Sequence, residues 1–286
     1  MIRFARKGIR ASRTTIVVKG KRVRLLILKP MEPVEQATGV LWIHGGGYAT
    51  GMKEMAYFGR AADLVREHGA VVIAPGYHLS ALHPYPTAVE ECYAALLYLK
   101  EQGMSLGINT NQLMVGGESA GGGLTAAVCM MARDRGEVNV AFQMPLYPML
   151  DNFDTDTSRD NHARVWNTRR NHMAWRMYLR EDYQKEVSPY AAPARQRDYT
   201  NLPPAYTFVC TAEPFYRETL DYVENLKNAG VEAVVDVYEG MYHSFDLWQP
   251  DHPVGQEAIR RFNDYFAFAQ KRYYAANTTK KEEDLP

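Results

Sequence analysis

One serine, with small residues on either side, limits what this chain can fold into. Gly117-Glu118-Ser119-Ala120-Gly121 follows the short apolar run Gln112-Leu113-Met114-Val115-Gly116. Such a run reads as a buried strand. From Gly121 to Arg135 the period changes to that of a helix, with Leu124, Val128 and Met131 on one face. A G-x-S-x-G at this junction puts the serine on a tight strand-to-helix turn, where neighbours with bulky Cβ groups would clash. A second glycine run, His44-Gly45-Gly46-Gly47, follows another apolar stretch at 39–43. Its backbone N–H groups can receive a developing oxyanion. One run contributes a nucleophile and the other a place for the charge it creates, which points to acyl-transfer chemistry.

The rest of the chain alternates in the same manner. Residues 14–18 and 23–28 are β-rich and flank Lys19-Gly20-Lys21-Arg22, the pattern of an antiparallel hairpin. Further strands are expected at 39–43, at 70–74 (stopped by Pro75-Gly76), and at 112–116, 141–147, 206–211 and 234–238. Helices are expected at 87–102, 121–135, 217–229 (ending at Gly230) and 254–274. This order predicts an α/β fold, a mostly parallel central sheet with helices on both faces and ligands at the carboxyl ends of the strands. Residues 151–200 break the alternation. They are rich in Asp, Arg, Asn and aromatics, with a helical piece at 172–179. They read as a small inserted cap within a single domain spanning 1–286.

Composition removes several function classes. The chain has 286 residues, with 33 Lys+Arg against 33 Asp+Glu. This balance gives no footprint for nucleic acid or an anionic membrane. No apolar run is long enough to span a bilayer, and the charged start at 1–7 has no apolar segment of a signal peptide behind it. The polar tail 278–286 is expected to be disordered. Cys92, Cys129 and Cys210 lie in apolar segments without a C-x-x-C spacing, so they read as core residues of a protein in a reducing cytoplasm. Gly121-Gly122-Gly123-Leu124-Thr125-Ala126 matches a dinucleotide fingerprint, but no acidic residue ends a second strand at the expected distance. In Gly46–Lys53 a methionine separates Gly51 from the lysine, which breaks a phosphate loop. No zinc spacing is present, and no metal or cofactor is expected.

A serine hydroxyl needs a base within hydrogen-bond reach, and the base needs an orienting acid. On such a turn the chain order is Ser, acid, His. His243, in a loop directly after the last expected strand, is the candidate base. His252 lies at a helix start between Asp251 and Pro253. The acid should follow the strand at 206–211. Glu213 comes first, whereas Glu218 and Asp221 fall on the next helix and read as solvated charges.

Taken together, His44-Gly45-Gly46-Gly47-Tyr48, His83-Pro84-Tyr85-Pro86, Gly117-Glu118-Ser119-Ala120-Gly121-Gly122, Ser188-Pro189-Tyr190-Ala191-Ala192-Pro193, Leu202-Pro203-Pro204 and Gly240-Met241-Tyr242-His243 resemble the hormone-sensitive-lipase-like branch of the α/β-hydrolases. The resemblance covers roughly residues 14–275. It implies an α/β-hydrolase fold and a serine carboxylesterase. It further implies Ser119 as nucleophile, His243 as general base and then acid, Glu213 as the acid, and Gly46, Gly47 and Ala120 as the oxyanion hole. Amidase, formamidase or lactonase chemistry would use the same groups. A non-catalytic ligand receptor on this scaffold is the reading from another class.

Departures from the family pattern are Glu213 and Glu118 for Asp, Ser244 for Gly after the base, and Gly76-Tyr77-His78 for Asp-Tyr-Arg, which implies a lost ion pair. Only about a dozen residues precede the first expected strand, so the long N-terminal helical arm of many relatives is not expected. With a polar cap, this predicts a small, open site favouring short acyl chains. Tyr48 is the candidate substrate contact, while Trp166, Trp175 and Tyr178 are expected to serve mainly in packing. The expected partners are a small-molecule ester and a second copy of the chain.

Overall fold

The computed structural model describes residues 7–277, so the expectations for the start and for the tail 278–286 fall largely or wholly outside the described residues. Eight strands form one sheet: β1 (Ile9–Val18), β2 (Lys21–Pro30), β3 (Ala37–Ile43), β4 (Val71–Gly76), β5 (Ile108–Glu118), β6 (Phe142–Leu146), β7 (Ala205–Cys210) and β8 (Ala233–Tyr238). Their order is β1-β2-β4-β3-β5-β6-β7-β8. β1 and β2 are antiparallel to their neighbours, and from β4 to β8 all pairs are parallel.

Both faces of this sheet are buried, which is why its central strands are near-continuous apolar runs. Successive residues of β3 alternate between the two cores. Leu41 and Ile43 meet the helices Thr87–Glu101 and Ala120–Arg135, while Val40 and Trp42 meet Arg60–His68 and Pro253–Arg272. Each fully buried aliphatic side chain contributes about 1.5–3 kcal/mol. The helix Tyr216–Asn228 packs Tyr222 and Leu226 against Ala126 and Met130.

The junction of β5 with Ala120–Arg135 depends on close backbone packing. A Cβ on Gly121 would lie 2.0 Å from the carbonyl oxygen of Ile43, and one on Gly117 would lie 2.5 Å from both Ile43 O and Gly121 O. Only glycine lets the turn sit against the end of β3.

Several elements differ from the sequence reading; β5 begins at Ile108 rather than 112, and the helix within 151–200 begins at Thr168 rather than 172. β1 starts at Ile9 rather than at 14, because the added residues Arg10 to Arg13 are exposed on an edge strand and show no apolar alternation. β4 continues through Pro75 and Gly76. Past Ile73 it pairs with β2 alone, and a proline is tolerated where one edge of a strand is unpaired. The helix Arg60–His68 is not among the expected elements, although Ala61, Leu64 and Val65 form a buried stripe between Gly59 and Gly69.

The sheet has a thin seam. β6 and β7 share one registered pair, Gln143 with Ala205. Gln143 strengthens it through its side chain, donating to Pro203 O at 2.9 Å and accepting from the Tyr222 hydroxyl at 2.8 Å. Tyr147 N also donates to Phe208 O at 3.0 Å.

An alanine in place of a helical glycine ordinarily stabilises by up to about 1 kcal/mol. Gly121→Ala should do the opposite and destabilise by roughly 3 kcal/mol, because backbone must move. Urea denaturation of the two proteins measures the sign.

Candidate active site

Ser119 occupies the turn between β5 and Ala120–Arg135 with φ 58° and ψ −121°, a left-handed conformation rare for a non-glycine residue. Its N–H donates to Leu146 O, and its carbonyl accepts from Gly123 N and Met149 N, each at 3.0 Å. These bonds hold the turn. The loop after β3 reaches it because Gly45 has no side chain; a Cβ there would lie 2.8 Å from Glu118 O and 3.2 Å from Ser119 Cβ. Among the described residues no hydrogen bond engages the N–H groups of Gly46, Gly47 or Ala120. His44 anchors the loop by stacking on Tyr77 with ring centroids 4.2 Å apart and bonding Gly45 O at 2.8 Å through Nδ1. Burial lowers its imidazole to about 4, so it is neutral at ordinary pH.

His243 follows β8, and its Nε2 lies 2.9 Å from Ser119 Oγ. Its Nδ1 is hydrogen-bonded to Glu213 Oε2. Glu213 is fully buried at the end of β7, and its other oxygen accepts from the Cys210 N–H at 3.0 Å and the Cys210 thiol at 2.9 Å. Tyr147 and Phe215 set their ring edges around the imidazole, with centroids 5.0 and 5.1 Å away. Ser244, directly after His243, has φ 59° and ψ 30°, a left-handed conformation that glycine adopts more easily. Loops from β5, β7 and β8 thus bring Ser119, His243 and Glu213 into one line of contacts at the carboxyl ends of parallel strands.

Residues 40–247 match the sequence family described as alpha/beta hydrolase fold. The chain belongs to the α/β-hydrolase family. It is 30% identical over 229 residues to esterase LipI of Mycobacterium tuberculosis, covering 79% of this chain and 71% of LipI. It is 26% identical to ethyl acetate hydrolase of Pseudomonas putida, covering 78% of this chain and 70% of that one. Among solved structures it superimposes on bacterial heroin esterase with a TM-score of 0.87 at 31% identity, covering 92% of this chain and 84% of the other.

Other residues of this α/β-hydrolase lie differently from the sequence reading. The cavity above Ser119 has a volume of about 1240 Å³, larger than the small site expected. Tyr48 does not line it. Its ring is buried, stacked on Tyr178 at 4.0 Å, and its hydroxyl donates to Met149 O at 3.0 Å, so it braces the loop from behind. Trp175 and Tyr178 are buried in packing, but Trp166 lines the cavity. A Cβ on Gly47 would lie 2.4 Å from the Trp166 ring, which also approaches His243 with centroids 6.2 Å apart.

Glu218 is not a solvated charge. It is buried, and its Oε1 accepts from Leu150 N at 2.7 Å, tying down the start of segment 151–200; burial raises its carboxyl well above the usual range. Asp221 is the exposed one, paired with Arg217 at 2.6 Å. His252 caps the helix Pro253–Arg272 by accepting from Val254 N. His78 is hydrogen-bonded to buried Glu91 at 2.7 Å, so a polar contact stands at the position of the departure from Asp-Tyr-Arg. Among the described residues no group is arranged to hold a metal, and no helix is long and apolar enough to cross a membrane.

Sequence reading missed the charged cluster behind Ser119. Glu118 lies near Arg60, Asp63 and Asp246, and Arg60 reaches Asp63 at 3.1 Å and Asp246 at 3.7 Å. Burial first, then the Asp246 charge, pushes Glu118 from 4.5 up to about 8; Arg60 and Trp42 offset only part of this. Between these values the folded chain holds a proton that the unfolded chain releases. The associated stability is full below about pH 4.5 and is lost as pH rises through about 8. Glu118→Gln keeps the shape without the titration. It should match the parent near pH 5 and exceed it by about 2–5 kcal/mol at pH 9, as read by denaturant melts across pH.

Proposed function

We propose that this chain hydrolyses carboxylic esters of short acyl groups by a serine acyl-enzyme route. The observation that carries the proposal is the unbroken contact from Ser119 Oγ through His243 to buried Glu213. In this reading Ser119 Oγ attacks the ester carbonyl while His243 Nε2 takes its proton. Glu213 holds the imidazole by Nδ1 and stabilises the imidazolium. The N–H groups of Gly46, Gly47 and Ala120 receive the oxyanion. Collapse breaks the bond to the alcohol oxygen, which leaves with the proton from His243. Water, deprotonated by His243, then attacks the acyl-serine and returns the free acid and Ser119. The names of the relatives, esterase and ethyl acetate hydrolase, support the substrate class.

The reading gives residues 151–200 the part of a cap on a single domain, supported by Trp166 over Gly47 and by Thr157 bonding Pro214 O at 2.8 Å. The cytoplasm is the proposed compartment, supported by three free buried cysteines. Edge strand β8, with exposed Val237, supports pairing of two copies, which light scattering would measure. Amide, formamide and lactone panels beside esters separate the hydrolase readings, and a receptor would release no product.

Ser119→Ala should abolish turnover while keeping the fold, and a fluorophosphonate should label Ser119 in the parent. Labelling of another serine, or full activity of the variant, would overturn the assignment. Glu213→Gln should lower kcat by about 10²–10⁴, and Asp221→Gln should have little effect. Across p-nitrophenyl esters, kcat/KM should peak at about C2 to C6, a preference supported by the acetyl ester in the name of the relative ethyl acetate hydrolase and not by the size of the cavity, which has room for longer chains. A maximum at long chains refutes the short-acyl reading.

A further inference from the structure

A second concavity, of about 370 Å³, opens where β2 and β4 lie beside the segment that follows the His44–Gly47 loop. Its walls are Arg22, Arg24, Lys53, Gly76 and His78. Arg22 and Arg24 stand two residues apart on β2 and so project to one face, and Arg24 is in register with Gly76. Three stretches of chain distant in sequence therefore bring basic side chains to one hollow.

These side chains are not all free surface groups. The Lys53 side chain is 14% exposed, and its stem passes over Gly76, where a Cβ would meet Lys53 Cδ at 3.2 Å and Nζ at 3.7 Å. The absent side chain at Gly76 is thus what lets the lysine lie across the floor of the pocket. Its ammonium has Glu54 at 3.0 Å, a carboxylate that Arg13 also approaches at 3.9 Å. His78 is oriented from behind by Glu91, which bonds both its Nδ1 and its backbone N–H at 2.7 Å. Among the described residues, neither Arg22 nor Arg24 has a carboxylate within 4.0 Å, and no carboxylate lines the pocket. Lys21, bonded to His83 at 2.9 Å, adds charge nearby.

The chain as a whole carries no net charge, so this is a local excess of like charges. Their mutual repulsion is relieved by a bound anion. Two guanidinium forks suit an oxyanion with several oxygens, and an ammonium adds a point charge. We propose that this pocket binds phosphate, free or as the phosphate group of a small phosphorylated molecule. The proposal does not depend on the ester-hydrolase reading, because binding is measured without turnover.

The test is titration calorimetry and thermal melting of the whole protein with inorganic phosphate, against chloride at equal ionic strength. Phosphate should bind saturably and raise Tm beyond chloride. Arg24→Gln and Lys53→Gln should each weaken binding about ten-fold, while Lys227→Gln, on the exposed side of the helix Tyr216–Asn228, should not. Melting of each variant in chloride alone reports whether it is folded. Glycerol 3-phosphate binding more tightly than inorganic phosphate assigns the pocket to a phosphorylated molecule; equal or weaker binding assigns it to the free ion. Phosphate acting no differently from chloride, or folded Arg24→Gln and Lys53→Gln binding as the parent does, overturns the proposal.

Discussion

The site rests on bare backbone touching bare backbone. The end of β3 and the turn around Ser119 approach so closely that Gly45, Gly117 and Gly121 leave no room for a first side-chain carbon. This contact sets the distance between the N–H groups of the glycine loop and the serine oxygen. It also explains the pairing of two glycine motifs far apart in sequence: they end on adjacent parallel strands and fill each other's missing volume. Everything else around Ser119, from the stacked His44 and Tyr77 to the buried Tyr48, braces that contact from outside.

Charge is handled by placement rather than by solvent. His44 is kept neutral by burial, Glu118 is held protonated below about pH 8, and Glu218 turns a carboxyl oxygen to the backbone N–H of Leu150. Glu213 has both oxygens engaged, one by the imidazole and one by Cys210. A side chain so held, three residues past the end of β7, has little freedom to turn away from His243.

The fold class and the convergence of Ser119, Glu213 and His243 were legible because they are written in short local patterns: strand, glycine turn, helix, and a loop directly after a strand. What was not legible depends on long-range neighbours. Glu218 and Asp221 look alike in sequence, three residues apart on one helix, yet one faces the start of segment 151–200 and the other faces water. Tyr48 directly follows Gly47, but its backbone is left-handed, φ 59°, and its ring lies buried on Tyr178 instead of facing the cavity. The helix Arg60–His68 was hidden by its charged residues, although glycines bracket it and its small apolar stripe was countable. The cluster of Glu118, Arg60, Asp63 and Asp246 draws on three separate stretches of chain, and no local pattern announces it.

The seam between β6 and β7 gives the sheet an unequal grain. Ser119 belongs to the half built on β5 and β6; Glu213 and His243 belong to the half built on β7 and β8. Glu213 and His243 are therefore carried by one half of the sheet and Ser119 by the other. One registered pair, the Gln143 side chain, and the backbone bonds from Gln143 N to Pro204 O and from Tyr147 N to Phe208 O span the joint. The 2.9 Å gap between Ser119 Oγ and His243 Nε2 is thus set across this seam, whereas the contact between His243 and Glu213 is set within one half. Gln143, fully buried, ties the half that carries Ser119 to the half that carries Glu213 and His243.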